Sequence, residues 1–187
     1  MKQLQKVEFR VGAKAARLIG RENIADVDGA LIELIKNSYD ADATCVYVDF
    51  YMPFPDVPDK AGVTYFAEYL SEKELQFVRE CYDTKGNTWT KKQNLPDKLQ
   101  NELKDILFTH NKIIVADNGT GMTEDVVRTA WMYIGTSNKE TNILSAKGRV
   151  KTGAKGIGRF ALDKLSMKSV MYTKSIDSAE TVRWDMD

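Results

Sequence analysis

Residues 30–44 read ALIELIKNSYDADAT, a mostly apolar stretch with polar side chains at Glu33, Asn37 and Asp40. It predicts a helix, and because a helix turns about 100° per residue, these three fall within about 60° of one another. The next arc is apolar and should pack on a sheet. That arc holds Val27, Ala30, Leu31, Leu34, Ile35 and Ala41, whereas Asp28, Lys36 and Tyr39 lie on the far side. We expect the polar trio at the margin of the buried face, either facing a cleft or simply beginning the solvated face.

The chemistry of this trio suits a site for hydrated magnesium. Mg²⁺ binds few protein oxygens and keeps several water molecules, so one asparagine carbonyl is a sensible ligand where phosphates supply the others. A carboxylate beside that amide can activate a water molecule. The same three residue types also suit a solvated helix face, and the pattern alone leaves both interpretations open.

A second motif, ADNGTGMT at residues 116–123, follows an apolar strand. Asp117 stands at the strand end, and Gly119 and Gly121 let the backbone turn. One interpretation is an ordinary exit from a strand, since Asp and Asn-Gly are common there. The other places Asp117 on the floor of a pocket, as acceptor for an exocyclic amine, with glycines that let the backbone approach a flat base.

A third motif, GRVKTGAKGIGRFA at residues 148–161, is a glycine-rich loop before a predicted helix. It lacks the GK-Ser/Thr of a Walker motif and the strand that precedes a dinucleotide fingerprint, so both are rejected. Its amides could instead wrap phosphates next to a helix N-terminus. Between Lys139 and Lys168 eight basic residues and two acidic ones give a charge of +6, which suits a polyphosphate. A solvated basic loop or a nucleic-acid contact is the alternative.

Composition excludes several classes of protein. The 187 residues suffice for one domain with a core, and 27 basic against 27 acidic side chains create no net charge that would attract nucleic acid or an anionic membrane. No segment has the length of a membrane span, so we expect a cytoplasmic protein. Cys45 and Cys81 lack a metal or disulfide spacing and should be reduced packing residues. His110, the only histidine, argues against imidazole metal sites and should end a helix.

The remaining pattern predicts alternating helices and strands. Strands are expected at 7–12, at 44–50, at 112–117 as a buried strand, and in a hairpin of 168–174 with 180–186. Helices are expected at 13–19, from the N-cap Asp26 to about Ala41, from the capping box at Ser71 to about Tyr82, from Pro96, from Thr123 to 135, and from about Ile157. Residues 51–66 should be irregular, 85–87 a turn and 135–158 a long loop.

In this order the three motifs resemble those of the GHKL ATPases, the family of gyrase B, the ninety-kilodalton heat-shock chaperones, sensor histidine kinases and MutL. ELIKNSYDADAT (33–44) resembles the family's N box, DNGTGM (117–122) its first glycine box and GAKGIGR (153–159) its second. IGTSNK (134–139) resembles the start of the ATP lid in the MutL and MORC branches, which NSYDADA also fits better than the histidine kinases. The joint match is specific, whereas each motif alone is not.

The resemblance implies a role for each matching residue. Glu33 matches the catalytic general base for water, Asn37 the magnesium ligand, and Asp117 the acceptor for the adenine amine. The other implied nucleotide-binding residues are Asp40 and Ala41 at the edge of the nucleoside pocket, Gly119, Gly121 and Met122 in the base pocket, Gly153, Lys155, Gly156, Ile157, Gly158 and Arg159 in the phosphate loop, and Thr136, Ser137 and Lys139 at the start of the lid.

The family fold is an α/β two-layer sandwich, in which helices cover one face of a mixed β-sheet and ATP lies under a flexible lid. The resemblance implies one such domain over residues 1–187, with the lid at about 135–158. It implies Mg²⁺-dependent hydrolysis of ATP to ADP and phosphate, which drives conformational change or dimerisation in a larger protein. Nucleic acid would bind through a downstream domain, and no membrane partner is implied. The alternatives are a nucleotide-gated dimerisation module with negligible hydrolysis and a histidine-kinase-type phosphotransfer domain.

Two features depart from the family pattern. About sixty residues, near 51–110, stand between the strands at 44–50 and 112–117, where MutL-like members have a short connection. The family domain also continues with strands that carry a threonine on the nucleotide side, and the sequence offers no match for it. We therefore expect an atypical insertion and a fold truncated at its C-terminal strands.

Overall fold

The computed structural model of the protein describes residues 26–132, 143–152 and 161–186. Within these ranges helices and strands alternate along the chain, and the predicted α/β class is confirmed. The predicted strand at 7–12 and the predicted helix at 13–19 lie outside the described residues.

The chain divides into two compact units. One consists of residues 48–114, and we name it the aromatic unit after the side chains of its core. The other consists of residues 1–47 and 115–187, and we name it the motif unit because the three sequence motifs lie in it. The described residues of each unit form a hydrophobic cluster of their own.

Helix α1, Val27–Asp40, begins and ends where the sequence predicts. Its N-cap is Asp26, whose Oδ1 accepts a hydrogen bond from the backbone N–H of Gly29 at 2.7 Å. Just after its other end, Asp42 adopts a φ of +61°, a left-handed conformation that few residues other than glycine, asparagine and aspartate tolerate. The helix therefore stops directly after the polar trio.

The buried face of α1 is narrower than predicted. Ala30 is fully buried and packs against Ala161 of helix α6, which spans Ala161–Leu165. Val27 and Ile35, which we expected in this face, are 49% and 41% exposed. Within the described residues, α6 contributes five residues that pack on a short strip of α1.

Strands β1 (Val46–Tyr51) and β5 (Lys112–Asp117) pair with each other. Asn118 joins their ends, because its side-chain carbonyl accepts hydrogen bonds from the N–H groups of Thr44 and Cys45, each at 2.9 Å. The prediction of a buried strand at β5 is wrong, since half-buried and exposed residues alternate along it. Among the described residues this sheet has two strands, and a pair of strands leaves much of its surface open to water. Cys45 is likewise exposed and is not the packing residue that we expected.

Helix α5 and a C-terminal hairpin complete the described part of the motif unit. α5 spans Glu124–Val126 and continues as a π-helical turn over Val127–Trp131. The predicted cap, Thr123, accepts its capping hydrogen bond at 3.3 Å. Strands β6 (Ser169–Lys174) and β7 (Thr181–Met186) pair antiparallel, which confirms the predicted hairpin.

The aromatic unit combines a three-stranded sheet with three helices. Its elements are β2 (Lys60–Gly62), α2 (Val63–Ala67), α3 (Glu72–Cys81), β3 (Tyr82–Lys85), β4 (Thr88–Lys91) and α4 (Asp97–Phe108). The strands are antiparallel in the order β2-β4-β3, and the predicted turn joins β3 to β4. The predicted capping box is present at the start of α3, where Glu74 accepts a hydrogen bond from the N–H of Ser71 at 2.8 Å.

Aromatic rings fill the core of this unit. Phe54, Phe66, Tyr82 and Trp89 are each at most 3% exposed, and neighbouring ring centroids in this group lie between 5.2 and 6.3 Å apart. The prediction that residues 51–66 are irregular is wrong where β2 and α2 lie. The sheet escapes prediction because β3 and β4 each bury a single aromatic side chain among Thr, Lys and Asp residues.

Cys81 and His110 occupy the places that the sequence predicts. Cys81 is buried in the core of the aromatic unit. His110 follows α4, and its Nε2 lies 3.2 Å from Oε1 of Glu74. Within the described ranges, no helix has both the length and the apolar character that crossing a bilayer requires.

Candidate functional site

Asp117 is the point at which α1 meets the glycine loop, by which we mean residues 118–122. Its Oδ2 accepts a hydrogen bond from the hydroxyl of Ser38 in α1 at 2.9 Å, and its Oδ1 accepts one from the N–H of Gly119 at 2.8 Å. These two contacts fix the position and the rotation of the carboxylate. The residue is still exposed, and because a carboxylate has about four acceptor positions, Asp117 can receive a further hydrogen bond from a ligand.

Ser38 is a contact of Asp117 that the motif match does not indicate. Ser38 is only 3% exposed, so its hydroxyl is removed from water and needs a hydrogen-bond partner within the protein. Helical geometry places it about 140° from Glu33, in the middle of the predicted buried arc. A lone polar side chain in the centre of an apolar arc is the sequence signal from which Ser38 could be identified.

The glycine loop packs on the end of α1. The N–H of Thr120 donates to the carbonyl oxygen of Ala41 at 2.8 Å. A Cβ atom on Gly119 would lie 2.7 Å from that oxygen and 2.8 Å from Oδ1 of Asp117, closer than Cβ atoms approach in real structures. Only glycine at position 119 allows this contact between the loop, the helix end and the carboxylate.

The glycine loop also packs on the end of β6. Gly121 has a φ of +63°, and a Cβ atom there would overlap the carbonyl oxygen of Lys174. The N–H of Met122 donates to the hydroxyl of Thr173 at 2.9 Å. Thr173 is a second supporting residue that the motifs do not indicate, and its place on an alternating strand carries no local signal for this role.

Glu33 and Asn37 lie one turn apart on α1. Oε1 of Glu33 is 2.8 Å from Nζ of Lys36, and these side chains are 31% and 42% exposed. Lys36 follows Glu33 by three residues, and side chains at this spacing are neighbours on a helix surface. The amide nitrogen of Asn37 is buried and has no hydrogen-bond partner among the described residues. The hydrogen-bonding capacity of this NH₂ group is therefore unused within the described part of the chain.

Asp42 is a buried carboxylate held by residues 143–152, which we name the clasp hairpin. Its Oδ1 accepts a hydrogen bond from the hydroxyl of Ser145 at 2.5 Å, and its Oδ2 accepts one from the N–H of Lys147 at 3.0 Å. Nε of Arg149 lies 3.9 Å from Oδ1. The hydrogen bond from Ser145, and then that from Lys147 and the charge of Arg149, hold the pKa of Asp42 below its usual value, although burial opposes them.

The clasp hairpin contacts further residues around the end of α1. Nη1 of Arg149 donates to the carbonyl oxygen of Ala43 at 2.7 Å, and its guanidinium lies 5.1 Å from the ring centre of Tyr39. The N–H of Thr152 donates to Oδ1 of Asp40 at 2.7 Å. Asp40, which the resemblance places at the edge of a nucleoside pocket, is thus a contact of this hairpin.

The structure brings together many of the predicted site residues. One continuous set of contacts around the end of α1 joins Asp40, Ala41, Asp117, Gly119, Gly121 and Met122. Glu33 and Asn37 precede them on the same helix. Predicted residues outside the described ranges are Thr136, Ser137, Lys139, Gly153, Lys155, Gly156, Ile157, Gly158 and Arg159. In the described part of the chain, no group of three or more histidine, cysteine or acidic side chains could hold a metal ion.

Comparison with known families matches residues 96–187 to the family described as histidine kinase-, DNA gyrase B-, and HSP90-like ATPase. The matched range includes both glycine boxes, 117–122 and 153–159, and leaves out α1. The match confirms the resemblance at the level of the family, whereas the MutL and MORC branches remain a prediction. No curated protein and no solved structure matched the chain.

Proposed function

Because residues 96–187 belong to the histidine kinase-, gyrase B- and HSP90-like ATPase family, we propose that the chain binds ATP with Mg²⁺ and hydrolyses it to ADP and phosphate. In a larger protein this cycle drives conformational change or dimerisation. The observation that carries the proposal is the junction at Asp117, where two distant parts of the sequence fix one carboxylate.

Asp117 is suited to recognise the adenine ring. Ser38 and Gly119 use one acceptor position on each of its oxygens, so a free position remains for the exocyclic amine of adenine. Gly119 and Gly121 allow the glycine loop to pack closely on the end of α1 and on the end of β6, which fixes the backbone beside Asp117. Because Ser38 is buried, water does not compete for the hydrogen bond between its hydroxyl and Asp117.

Asn37 and Glu33 supply the chemistry at the phosphates. Asn37 would hold Mg²⁺ through its side-chain carbonyl, together with phosphate oxygens of the nucleotide. Its position on α1, one turn after Glu33, supports this role, because the two side chains point the same way along the helix. The bound ion would offset the negative charge of the phosphates. Glu33, one turn earlier, orients a water molecule and takes its proton, while Lys36 restricts the rotation of that carboxylate.

Calorimetric titration with a nonhydrolysable ATP analogue and Mg²⁺ tests the binding site. The parent chain should bind, and Asp117→Asn should raise the Kd about 10- to 150-fold, because a hydrogen bond to a charged group contributes about 1.5 to 3 kcal/mol. The matched control is Asp59→Asn, which removes a carboxylate paired with Lys91 at 2.6 Å in the aromatic unit and should not change the Kd. Unchanged affinity of Asp117→Asn contradicts the adenine assignment, and absence of binding by the parent contradicts the proposed function.

Sedimentation, run beside a phosphate-release assay, separates hydrolysis from nucleotide-gated dimerisation. We expect phosphate release that depends on both ATP and Mg²⁺. A chain that dimerises with the analogue but releases no phosphate above buffer would instead be a gated interaction module.

A further inference from the structure

The turn that follows α1 contacts two segments that are distant in the sequence, the glycine loop and the clasp hairpin. On one side the carbonyl of Ala41 accepts a hydrogen bond from Thr120 of the glycine loop. On the other side Asp40 and Asp42 accept hydrogen bonds from the clasp hairpin. The position of residues 40–43 therefore determines how both segments are placed.

Asp42 is the most constrained residue of this turn. Its carboxylate is buried, and a buried carboxylate is stable only while its hydrogen-bonding partners stay in place. Its φ of +61° lies in the left-handed region, which aspartate tolerates better than most residues other than glycine. Both partners, Ser145 and Lys147, come from the clasp hairpin, and release of the hairpin would leave the charge without them.

The clasp hairpin is itself ordered around the same contact. The hydroxyl of Ser145 donates to Asp42 and accepts a hydrogen bond from the N–H of Arg149 at 2.9 Å. The N–H of Ser145 donates to the carbonyl of Arg149 at 2.8 Å, and Gly148, with a φ of +79°, closes the turn between them. The hydroxyl of Ser145 thus links the backbone of the clasp hairpin to Asp42, just after the end of α1.

We infer that Asp42 is a positioning residue, which fixes the clasp hairpin on the end of α1 before nucleotide binds. The clasp hairpin would then form one side of the ATP site that is already in place. This inference rests on the proposed function. The clasp hairpin, which lies within the predicted lid, then has the same position before and after nucleotide binding. Nucleotide binding does not have to order it. A site whose competent state is only partly populated binds its ligand more weakly in proportion to that population.

Hydrogen exchange without nucleotide, combined with calorimetric titration of the Mg²⁺-bound ATP analogue, tests the inference on Asp42→Asn. Asparagine tolerates the left-handed backbone. However, it replaces one of the two oxygens that accept hydrogen bonds in Asp42 by an NH₂ group, which can only donate. We expect the amides of Lys147, Arg149 and Thr152 to exchange at least about tenfold faster, and the Kd to rise about tenfold at an unchanged binding stoichiometry. Loss of folded protein would instead lower the stoichiometry.

Two further variants complete the design. Asp59→Asn should change neither the exchange nor the Kd. Ser145→Ala removes the linking hydroxyl without touching Asp42, should produce both effects, and should add little in the double variant, because the two residues act as one unit. If Asp42→Asn does not fold, Ser145→Ala alone still tests the inference.

The possible failures are distinguishable. Rapid exchange of the clasp hairpin in the parent, or an unchanged Kd in a variant whose hairpin exchanges freely, overturns the positioning role. Failure of the proposed function appears separately, as a parent chain that binds no nucleotide although its hairpin is protected.

Discussion

Glu33 is the residue whose substitution separates turnover from binding. Glu33→Ala should lower phosphate release by about 10² to 10⁴, the usual contribution of a general base, while the Kd for ATP stays close to that of the parent. The matched control is Glu124→Ala, which also removes a helical glutamate from an ion pair, with Arg128 at 2.7 Å, and should keep parental turnover. Phosphate release at saturating ATP and a binding titration measure the two effects. A Glu33→Ala chain that hydrolyses ATP at the parental rate excludes Glu33 as the base.

Gly121 should tolerate no side chain, for a reason beyond its backbone angle. Gly121→Ala and Gly148→Ala both place alanine in the left-handed region, which costs roughly 1 to 2 kcal/mol. Gly148 has open space around it, whereas a Cβ atom on Gly121 meets the backbone of Lys174. Gly121→Ala should therefore lose a further 1 to 3 kcal/mol or so of unfolding free energy. Urea denaturation of both variants measures the difference, and equal losses would contradict the packing of the loop on β6.

The motifs predict which residues match a family, but not which residues support them. Ser38 contacts Asp117 across 79 positions of sequence, Ser145 contacts Asp42 across 103, and Thr173 contacts Met122 across 51. Such pairs depend on the folded backbone, so the sequence can indicate Ser38 as a polar residue in an apolar arc but cannot indicate its partner. The residues matched to the glycine box could be predicted because closely spaced glycines and an aspartate at a strand end are local features.

At the scale of the elements, helices could be predicted better than strands because their caps are local. Asp26, Ser71 and Thr123 each accept a hydrogen bond from an N–H three residues later, so each appears in a short window of sequence. β3 and β4 have no comparable signal. They are strands because Tyr82 and Trp89 enter a core built by residues far away in the chain.

The capping box of α3 should make stability depend on pH. Hydrogen bonds from Ser71, supported by His110, hold the pKa of Glu74 below its usual value in spite of partial burial. The folded carboxyl group thus binds a proton less readily than the unfolded one. Its contribution to stability is complete above the usual glutamate pKa of about 4.3 and is lost as the pH falls through the lower folded value.

Glu74→Gln should therefore lower the free energy of unfolding by about 1 kcal/mol at neutral pH, and by clearly less near about pH 3. Urea denaturation at the two pH values measures the effect. Glu72→Gln provides the control, because Glu72 lies in the same first turn of α3 but takes no part in the capping box. An equal cost of Glu74→Gln at both pH values would show that the ionised carboxylate is not what stabilises this helix.

At the scale of the whole molecule, each compact unit has its own set of buried contacts. The core of the aromatic unit is a large cluster in which Leu103 and Leu107 of α4 are almost completely buried. In the described part of the motif unit, Ala30 and Ala161 pack with Leu34 and Leu165 around them. Hydrophobic stabilisation acts where the side chains are buried, so each cluster should stabilise mainly its own unit.

Leu103→Ala should consequently destabilise the aromatic unit and spare the motif unit. Removal of a fully buried leucine side chain costs about 2 to 5 kcal/mol, and the loss should appear as faster hydrogen exchange in α3 and α4 while β6 and β7 keep their protection. Leu165→Ala is the reciprocal variant, with faster exchange expected in α1 and α6 and none in α3 and α4. If either substitution accelerates exchange equally in both units, the chain unfolds as one cooperative body, and the two clusters stabilise it jointly.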